Sequence, residues 1–343
     1  MIPVTVITGF LGSGKTTLIR SVLQRPSFER SAVIVNEFGE IGLDHHLLAS
    51  SDDNIILLPS GCLCCAVRSD LVATLLDLQR RSSQGLIPSF DRVIIETSGL
   101  ADPAPLMQTF MTDADIARLF NLASIITTID AMLGSDTLDR HQQACRQLAV
   151  ADKILITKTD LAGITEPLRQ RISAVNPTAS WTTVINGAVE PTMIFNDKSY
   201  ALTASGRSAA ATPVAHTSGI GSFTLVRTEP VPALALTLML QALAEHCGEK
   251  LLRFKGLISL AEMPDRPAVV HGVQHIFYPP VWLDRWPDED HSTRMVFIGF
   301  GIPKRWPERL LFMAAEEVCL EVARRTMHLT ESPGENYRPA LGR

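Results

Sequence analysis

The chain has 343 residues, of which 46% are hydrophobic and 20% are charged, and its formal net charge is −5. This length allows two domains with a hydrophobic core each, and the negative charge argues against non-specific binding of nucleic acid. The amino terminus has no basic segment, and no apolar run is long enough to cross a bilayer. We therefore expect a cytoplasmic protein with neither nucleic acid nor membrane among its partners.

In the first 202 residues, apolar runs typical of buried strands alternate with runs of helical spacing. The predicted strands are 4–7, 32–35, 55–58, 92–95, 125–129 and 154–156, and the predicted helices are 18–23, 71–78, 137–150 and 168–175. This alternation predicts an α/β fold with a doubly wound parallel sheet, whose ligand binds at the carboxyl ends of the strands.

A different pattern begins beyond residue 202. Residues 203–218 are rich in Ala, Ser, Thr, Gly and Pro without an apolar period, which predicts a linker. Strand candidates then follow closely at 223–227, 257–260, 268–273, 276–282 and 295–300, with helices at 231–247 and 307–325. We predict a smaller α+β domain at 219–330 with a mostly antiparallel sheet, after a first domain at 1–202, and a loose tail at 331–343.

The motif GFLGSGKT at 9–16 lies between the first predicted strand and the first predicted helix, as a phosphate loop should. Its glycines allow backbone N–H groups to surround phosphate oxygens at the positive end of the helix. Lys15 would contact the outer phosphates, and the Thr16 hydroxyl would bind Mg²⁺. The motif predicts a P-loop NTPase, and its nucleotide-binding residues are Gly9, Gly12, Ser13, Gly14, Lys15, Thr16 and Thr17.

The tetrapeptide TKTD at 157–160 follows the last predicted strand of the first domain. The Asp160 carboxylate can accept two hydrogen bonds from N1–H and the exocyclic amine of guanine, which adenine does not offer. The aliphatic stem of Lys158 can pack on the base. A Lys–Asp turn is common on protein surfaces, but after a phosphate loop it favours GTP over ATP.

The segment ETSGLADP at 96–103 occupies the position where such enzymes keep an acid near Mg²⁺ and a glycine whose N–H meets the γ-phosphate. These residues are Glu96 and Gly99, and we assign catalysis to them and to Lys15. Small regulatory GTPases have a water-orienting glutamine after this glycine. Leu100 cannot orient water, so we predict slow intrinsic hydrolysis. Ser98 and Asp102 have an alternative role as helix caps.

Three cysteines, Cys62, Cys64 and Cys65, lie within four positions. Bridges between them would be strained, whereas their thiolates can converge on one zinc ion or a similar cation, with redox chemistry as the alternative. Three thiolates do not complete a tetrahedron. The fourth ligand could be Glu37, Glu40, a nearby histidine, water or a residue of a partner.

Glu37 and Glu40 belong to a glycine-punctuated loop at 36–44, between the phosphate loop and the cysteines. Its acids could bind Mg²⁺ or its water, and the loop could reorder with nucleotide state and present a carboxylate to the cysteine site. A solvated acidic loop is the alternative. Cys145, Cys247 and Cys319 are isolated on helical stretches, and we interpret them as core or surface residues.

Taken together, these motifs resemble the CobW-type metallochaperone family of P-loop GTPases, in its YjiA-like branch. The matching segments are 8–17, 36–40, 61–65, 96–103 and 157–160, with LLRFKG at 251–256, GVQ at 272–274 and HSTRMVFIG at 291–299 in the second domain. The resemblance implies GTP hydrolysis coupled to allocation of a transition metal, often zinc or cobalt. Thr157 departs from the asparagine of many GTPases. The absence of a histidine-rich tract argues against metal storage.

The hypothesis is a GTP-hydrolysing metallochaperone that delivers Zn²⁺, or Co²⁺, to an apo-metalloprotein client under nucleotide control. GTP and Mg²⁺ would be its other ligands. The alternative is a regulatory GTP switch or metal sensor that acts through a protein partner without metal delivery. A nucleotide- or metal-dependent homodimer is compatible with either.

Overall fold

The computed structural model describes residues 1–35, 55–57, 66–190, 194 and 219–330. Within these ranges the chain forms two β-sheets with helices packed on them. No helix in the described ranges is long and apolar enough to cross a membrane. The predicted linker at 203–218 and tail at 331–343 lie outside the described residues, so the domain limits stay predictions, as does the cytoplasmic location.

The first sheet has seven parallel strands. They are β1 (Ile2–Gly9), β2 (Ser31–Val35), β3 (Ile55–Leu57), β4 (Arg92–Glu96), β5 (Phe120–Asp130), β6 (Lys153–Thr157) and β7 (Ser180–Val184). The helices around them are α1 (Lys15–Leu23), α2 (Ala66–Ser83), α3 (Ala104–Thr112), α4 (Ala114–Leu119), α5 (Gly134–Arg140), α6 (Gln142–Val150) and α7 (Glu166–Val175), with a 3₁₀ turn at Pro26–Phe28. The predicted doubly wound parallel sheet is confirmed.

The strand order β3-β2-β4-β1-β5-β6-β7 explains where a ligand can bind. Strand β1 lies between β4 and β5. Strands β2, β3 and β4 lie on one side of it, and β5, β6 and β7 lie on the other. In open α/β sheets, ligands occupy the crevice at the carboxyl ends of strands where the order reverses. The carboxyl end of β1, which is Gly9, is that position.

Three local predictions were incomplete. The helix expected at 137–150 is two helices, because His141 between them has an extended backbone at φ −122° and ψ 108°. Strand β7 was missed because it is an edge strand whose residues are mostly exposed, so it lacks the apolar run of its neighbours. Helices α3 and α4 are short and were also missed, although Asp113 caps α4.

The second sheet is antiparallel, with the order β11-β10-β9-β13-β8 and β12 paired with β10. Its elements are β8 (Ile220–Arg227), α8 (Ala233–Cys247), β9 (Leu251–Leu260), β10 (Met263–Val273), β11 (Ile276–Phe277), β12 (Val281–Trp282), β13 (Thr293–Phe300) and α9 (Arg305–Thr330). Helices α8 and α9 pack together over one face of this sheet. The α+β prediction is confirmed, but the strand expected at 276–282 is two short strands.

The other face of the second sheet packs against the first domain. One buried cluster combines Leu148 of α6 and Ile172 of α7 with Leu252 of β9 and Val296 and Ile298 of β13. Apolar burial therefore joins the two sheets through helices α6 and α7. We call this set the shared core.

A group of charged side chains lies at the same boundary. Asp152 accepts hydrogen bonds from Arg253 and Lys255, each 2.8 Å from its Oδ1, and all three side chains are at most 11% exposed. Its Oδ2 accepts the N–H of Ile125. Burial raises the pKa of Asp152, but the charges of Lys255 and Arg253 outweigh this effect and hold it well below its usual range. Asp152 therefore stays ionised and joins the domains.

Candidate nucleotide and metal site

The phosphate loop connects the carboxyl end of β1 to the start of α1, and its glycines are sterically required. Gly9 has φ +142°, and a Cβ there would lie 2.5 Å from the Thr128 carbonyl oxygen. Gly14, with φ +90°, precedes the first residue of α1 in the left-handed region. Any side chain at these two positions would be strained, so the backbone alone faces the space where phosphates bind.

Hydroxyl groups hold this loop on the sheet. The Ser13 and Thr128 hydroxyl oxygens are 2.6 Å apart, and Thr128 also donates to the Thr8 carbonyl. Thr157 donates to the Ser13 carbonyl at 2.8 Å. Thr157, which departs from the asparagine of many GTPases, thus anchors the phosphate loop to the end of β6 through its hydroxyl.

Lys15 and the start of α1 supply positive charge. The Lys15 ammonium donates to the carbonyls of Gly9 and Phe10, at 3.0 and 3.2 Å, so the side chain folds back over the loop. The first turn of α1 has no acidic residue that would neutralise the helix dipole. These features fit an anionic ligand such as a triphosphate.

Thr16 and Glu96, both predicted to lie near Mg²⁺, contact each other. The Thr16 hydroxyl donates to Glu96 Oε1 at 2.8 Å, and Glu96, which ends β4, is 1% exposed. A hydroxyl and a carboxylate beside a phosphate loop are hard oxygen donors of the kind that Mg²⁺ prefers. The pair would hold Mg²⁺ and let it neutralise phosphate charge.

Gly99 lies directly on the phosphate loop. A Cβ at this position would come within 2.8 Å of the Leu11 backbone nitrogen and 2.9 Å of its Cα. The segment after β4 thus touches the loop, as expected for a phosphate sensor, and Leu100 beside it is exposed. Asp102 accepts the N–H of Ala104 at the start of α3, although the N-cap position of that helix is Pro103.

At the end of β6, Lys158 has φ +58°, and its ammonium lies 2.7 Å from Asp130 Oδ2. Asp130, which ends β5, also accepts the N–H groups of Met132 and Leu133. Sequence reasoning missed Asp130, although an acid directly after a buried strand was the available signal. The ion pair holds the Lys158 stem at the carboxyl edge, and Asp160 is exposed two residues further on.

The predicted transition-metal ligands Glu37, Glu40, Cys62, Cys64 and Cys65 lie outside the described residues. In the part of the chain that the structure describes, no three His, Cys, Asp or Glu side chains form a group suited to a metal ion. Cys145 is buried on α6, and Cys319 is exposed on α9. These two cysteines, with Cys247 at the end of α8, have the isolated core or surface positions expected for them.

A parallel sheet with a strand–loop–helix phosphate site and a threonine–acid pair defines a P-loop nucleotide-binding domain. Residues 3–183 match the family described as CobW/HypB/UreG, nucleotide-binding domain, and residues 220–314 match the Cobalamin synthesis protein cobW C-terminal domain. The chain belongs to the CobW/HypB/UreG family and is a GTPase.

Individual relatives extend the similarity over most of the chain. The zinc chaperone YjiA of Escherichia coli K12 is 35% identical over 308 residues, covering 88% of this chain and 95% of that protein. The zinc chaperone CobW of Pseudomonas aeruginosa is 28% identical, with 87% of each chain covered. The crystal structure of Zn(II)-bound YjiA GTPase matches with a TM-score of 0.71 and 31% identity, covering 92% of this chain and 98% of that one.

Proposed function

We propose that this GTPase metallochaperone binds zinc through Cys62, Cys64 and Cys65 and passes it to an apo-metalloprotein client under the control of GTP. The similarity to zinc chaperones over most of the chain is the observation that carries the proposal. The phosphate site supports it, because it provides a lysine, a threonine–acid pair and a glycine against the loop. Cobalt remains an alternative cargo, since thiolate sites follow metal availability as well as preference.

Within this proposal, Lys15 and Gly99 act on the outer phosphates, and Thr16 and Glu96 hold Mg²⁺. Asp160 accepts the two donors of guanine, and Lys158 supports the base. The carboxyl-edge positions of these residues support the assignment. Leu100 has no group that orients water, so hydrolysis is slow until a partner or another residue supplies one.

The register of the first sheet supports a link between nucleotide and zinc. Val35 is paired with Leu57 on one side and with Glu96 on the other. Along the chain, Glu37 follows Val35 by two residues and Cys62 follows Leu57 by five. We propose that a carboxylate from 36–44 serves both the Mg²⁺ residues and the cysteines.

We expect zinc to bind more tightly in the presence of a non-hydrolysable GTP analogue than with GDP. Linkage makes the coupling reciprocal, and a tenfold difference corresponds to about 1.4 kcal/mol. Zinc titration of the full chain in both nucleotide states measures it. Cys64→Ala and Cys65→Ala should weaken zinc binding and leave GTP affinity unchanged, with Cys319→Ala as the exposed control. Equal zinc dissociation constants in the two states would contradict the coupling.

Transfer of zinc to an apo-client distinguishes a metal-delivering chaperone from a regulatory switch or metal sensor. A chaperone passes its zinc to an apo-client faster with GTP than with GDP, whereas a regulatory switch or sensor retains the metal and only changes partner binding. Loss of both zinc and GTP binding in the cysteine variants would instead indicate a structural metal.

We further propose that a second copy of the chain docks at the carboxyl edge of the first sheet in the GTP state. Large apolar side chains that follow β1, β4, β5, β6 and β7 are exposed there, namely Leu11, Leu100, Met132, Leu133, Leu161 and Ile185. Apolar side chains gathered around a ligand site are typical of an interface. Light scattering should show a dimer with the GTP analogue and a monomer with GDP. Leu161→Glu should abolish the dimer, and an unchanged mass in both states would exclude it.

A further inference from the structure

The amide of Gln147, on helix α6, contacts the segment that carries Gly99. Its Nε2 donates to the carbonyl of Gly99 at 3.1 Å and to the carbonyl of Ala101 at 3.0 Å. Both N–H groups of one side chain are thus used on the turn between β4 and α3. No motif in the sequence drew attention to this glutamine.

Gln147 is fully buried in a setting that otherwise favours apolar side chains. It is 0% exposed, and its helical neighbours Ala144, Leu148 and Val150 are buried as well. Its Oε1 has no hydrogen-bond partner among the described residues. The two hydrogen bonds to the turn therefore offset the desolvation cost of burying the amide. A leucine would fill the same position without this desolvation cost.

The helix that presents Gln147 is itself fixed to the phosphate site. Thr127 of β5 donates to the Gln147 carbonyl at 2.8 Å, and the next residue, Thr128, contacts Ser13 of the phosphate loop. Gln147 also lines a cavity together with Phe10 and Leu11 of the phosphate loop. The same hydrogen-bonded elements, β5 and α6, therefore position both the loop and the turn.

Arg146, the preceding residue, holds the other end of the turn. Its guanidinium donates to Asp102 Oδ2 at 3.0 Å and lies 5.0 Å from the ring centre of Phe300 in the second domain. Two adjacent residues of α6 thus hold the two ends of the turn, which are Gly99 and Asp102. Since Gly99 rests on Leu11, a shift of this turn would change where its N–H points.

We propose that Gln147 is a positioning residue for GTP hydrolysis, which holds the Gly99 turn so that the Gly99 N–H meets the γ-phosphate. The proposal rests on the role proposed for Gly99 but not on metal delivery. Both amide N–H groups of Gln147 are engaged by carbonyls of the turn, so its effect on the γ-phosphate would be indirect. GDP lacks the γ-phosphate, so GDP binding does not depend on this contact.

Two variants test the role. Gln147→Leu removes both donors and keeps the volume, and Gln147→Met does the same with a more adaptable side chain in case the leucine variant fails to fold. Loss of two hydrogen bonds predicts a fall of about 10- to 100-fold in the single-turnover rate of GTP hydrolysis. GDP affinity should stay within about threefold of the original value.

The matched control is Gln143→Leu, the same substitution at an exposed position of the same helix, and its hydrolysis rate should be unchanged. The full chain is assayed without zinc, so failure of the metal-delivery proposal leaves this result unaffected. An unchanged hydrolysis rate in both Gln147 variants would overturn the inference. A parallel loss of GDP affinity and melting temperature would also overturn it, because it would show a purely structural role.

Discussion

Replacement of Asp152 by asparagine is expected to lower the free energy of unfolding by about 3–5 kcal/mol, the cost of removing one partner from a buried ion pair. The variant leaves the charges of Arg253 and Lys255 without the carboxylate that both contact at 2.8 Å. Asparagine can still accept the Ile125 N–H, but it carries no compensating charge. Denaturant unfolding of the full chain measures the change.

The control is Asp136→Asn, in an exposed pair with Arg140 within one helix, which should cost less than about 0.5 kcal/mol. Adding Lys255→Met to Asp152→Asn should recover part of the lost stability, because it removes one of the two buried positive charges that Asp152 no longer neutralises. Equal losses at Asp152 and Asp136 would show that the boundary charges do not matter for stability.

Acid should destabilise the protein through the same group of residues. Unfolded Asp152 takes up a proton near pH 3.8, whereas the folded carboxyl stays ionised well below that value. Burial, reinforced by the charges of Arg253 and Lys255, lowers the pKa of His271 to about 3, from about 6.5 when exposed. In both cases the unfolded chain binds more protons than the folded chain, so stability falls as the pH drops. The loss due to His271 begins at about pH 6.5, and the loss due to Asp152 begins at about pH 4. In the Asp152→Asn variant, the loss of stability that begins at about pH 4 should be absent.

The second large effect is expected at Gly99. In Gly99→Ala the new methyl group would collide with the backbone of Leu11, 2.8 Å from its nitrogen, so the turn must move away from the phosphate loop. A displacement of this kind, of about 1 Å, can reduce a catalysed rate about 100-fold. We expect the single-turnover rate of GTP hydrolysis to fall by that amount, while GDP binds almost as before.

Gly163→Ala is the matched control, since a methyl group there meets no atom within 4 Å and the glycine is exposed. Its hydrolysis rate should be unchanged. The alternative outcome is that Gly99→Ala weakens GDP and GTP binding equally and leaves the hydrolysis rate of bound GTP unchanged. Gly99 would then support the loop and would not sense the γ-phosphate.

The parts of the site that could be predicted are those encoded within a few neighbouring residues. The glycines around Lys15 follow from the backbone a phosphate loop must adopt, and the strand before Glu96 places that acid at the carboxyl edge. Consecutive buried residues in β1 and β4 likewise made the central strands recognisable.

The parts that could not be predicted depend on contacts between distant positions. Gln147 acts on a residue 48 positions away, and Asp152 meets Arg253 across 101 positions. Neither side chain has a local pattern that distinguishes it from a surface glutamine or aspartate. In the sequence, Thr157 is only a departure from the asparagine of many GTPases; its bond to the Ser13 carbonyl shows that a hydroxyl holds the loop.

The shared core has a consequence for any attempt to divide the protein. Separation at 203–218 would uncover Leu252, Val296 and Ile298 on one fragment, each of which loses about 1.5–3 kcal/mol of burial when fully exposed. The other fragment would expose the matching faces of α6 and α7. Soluble proteins rarely show such contiguous apolar surface, so the isolated fragments should aggregate or stick to each other. Although the sequence divides into two domains, their shared core predicts that neither is stable when it is separated from the other.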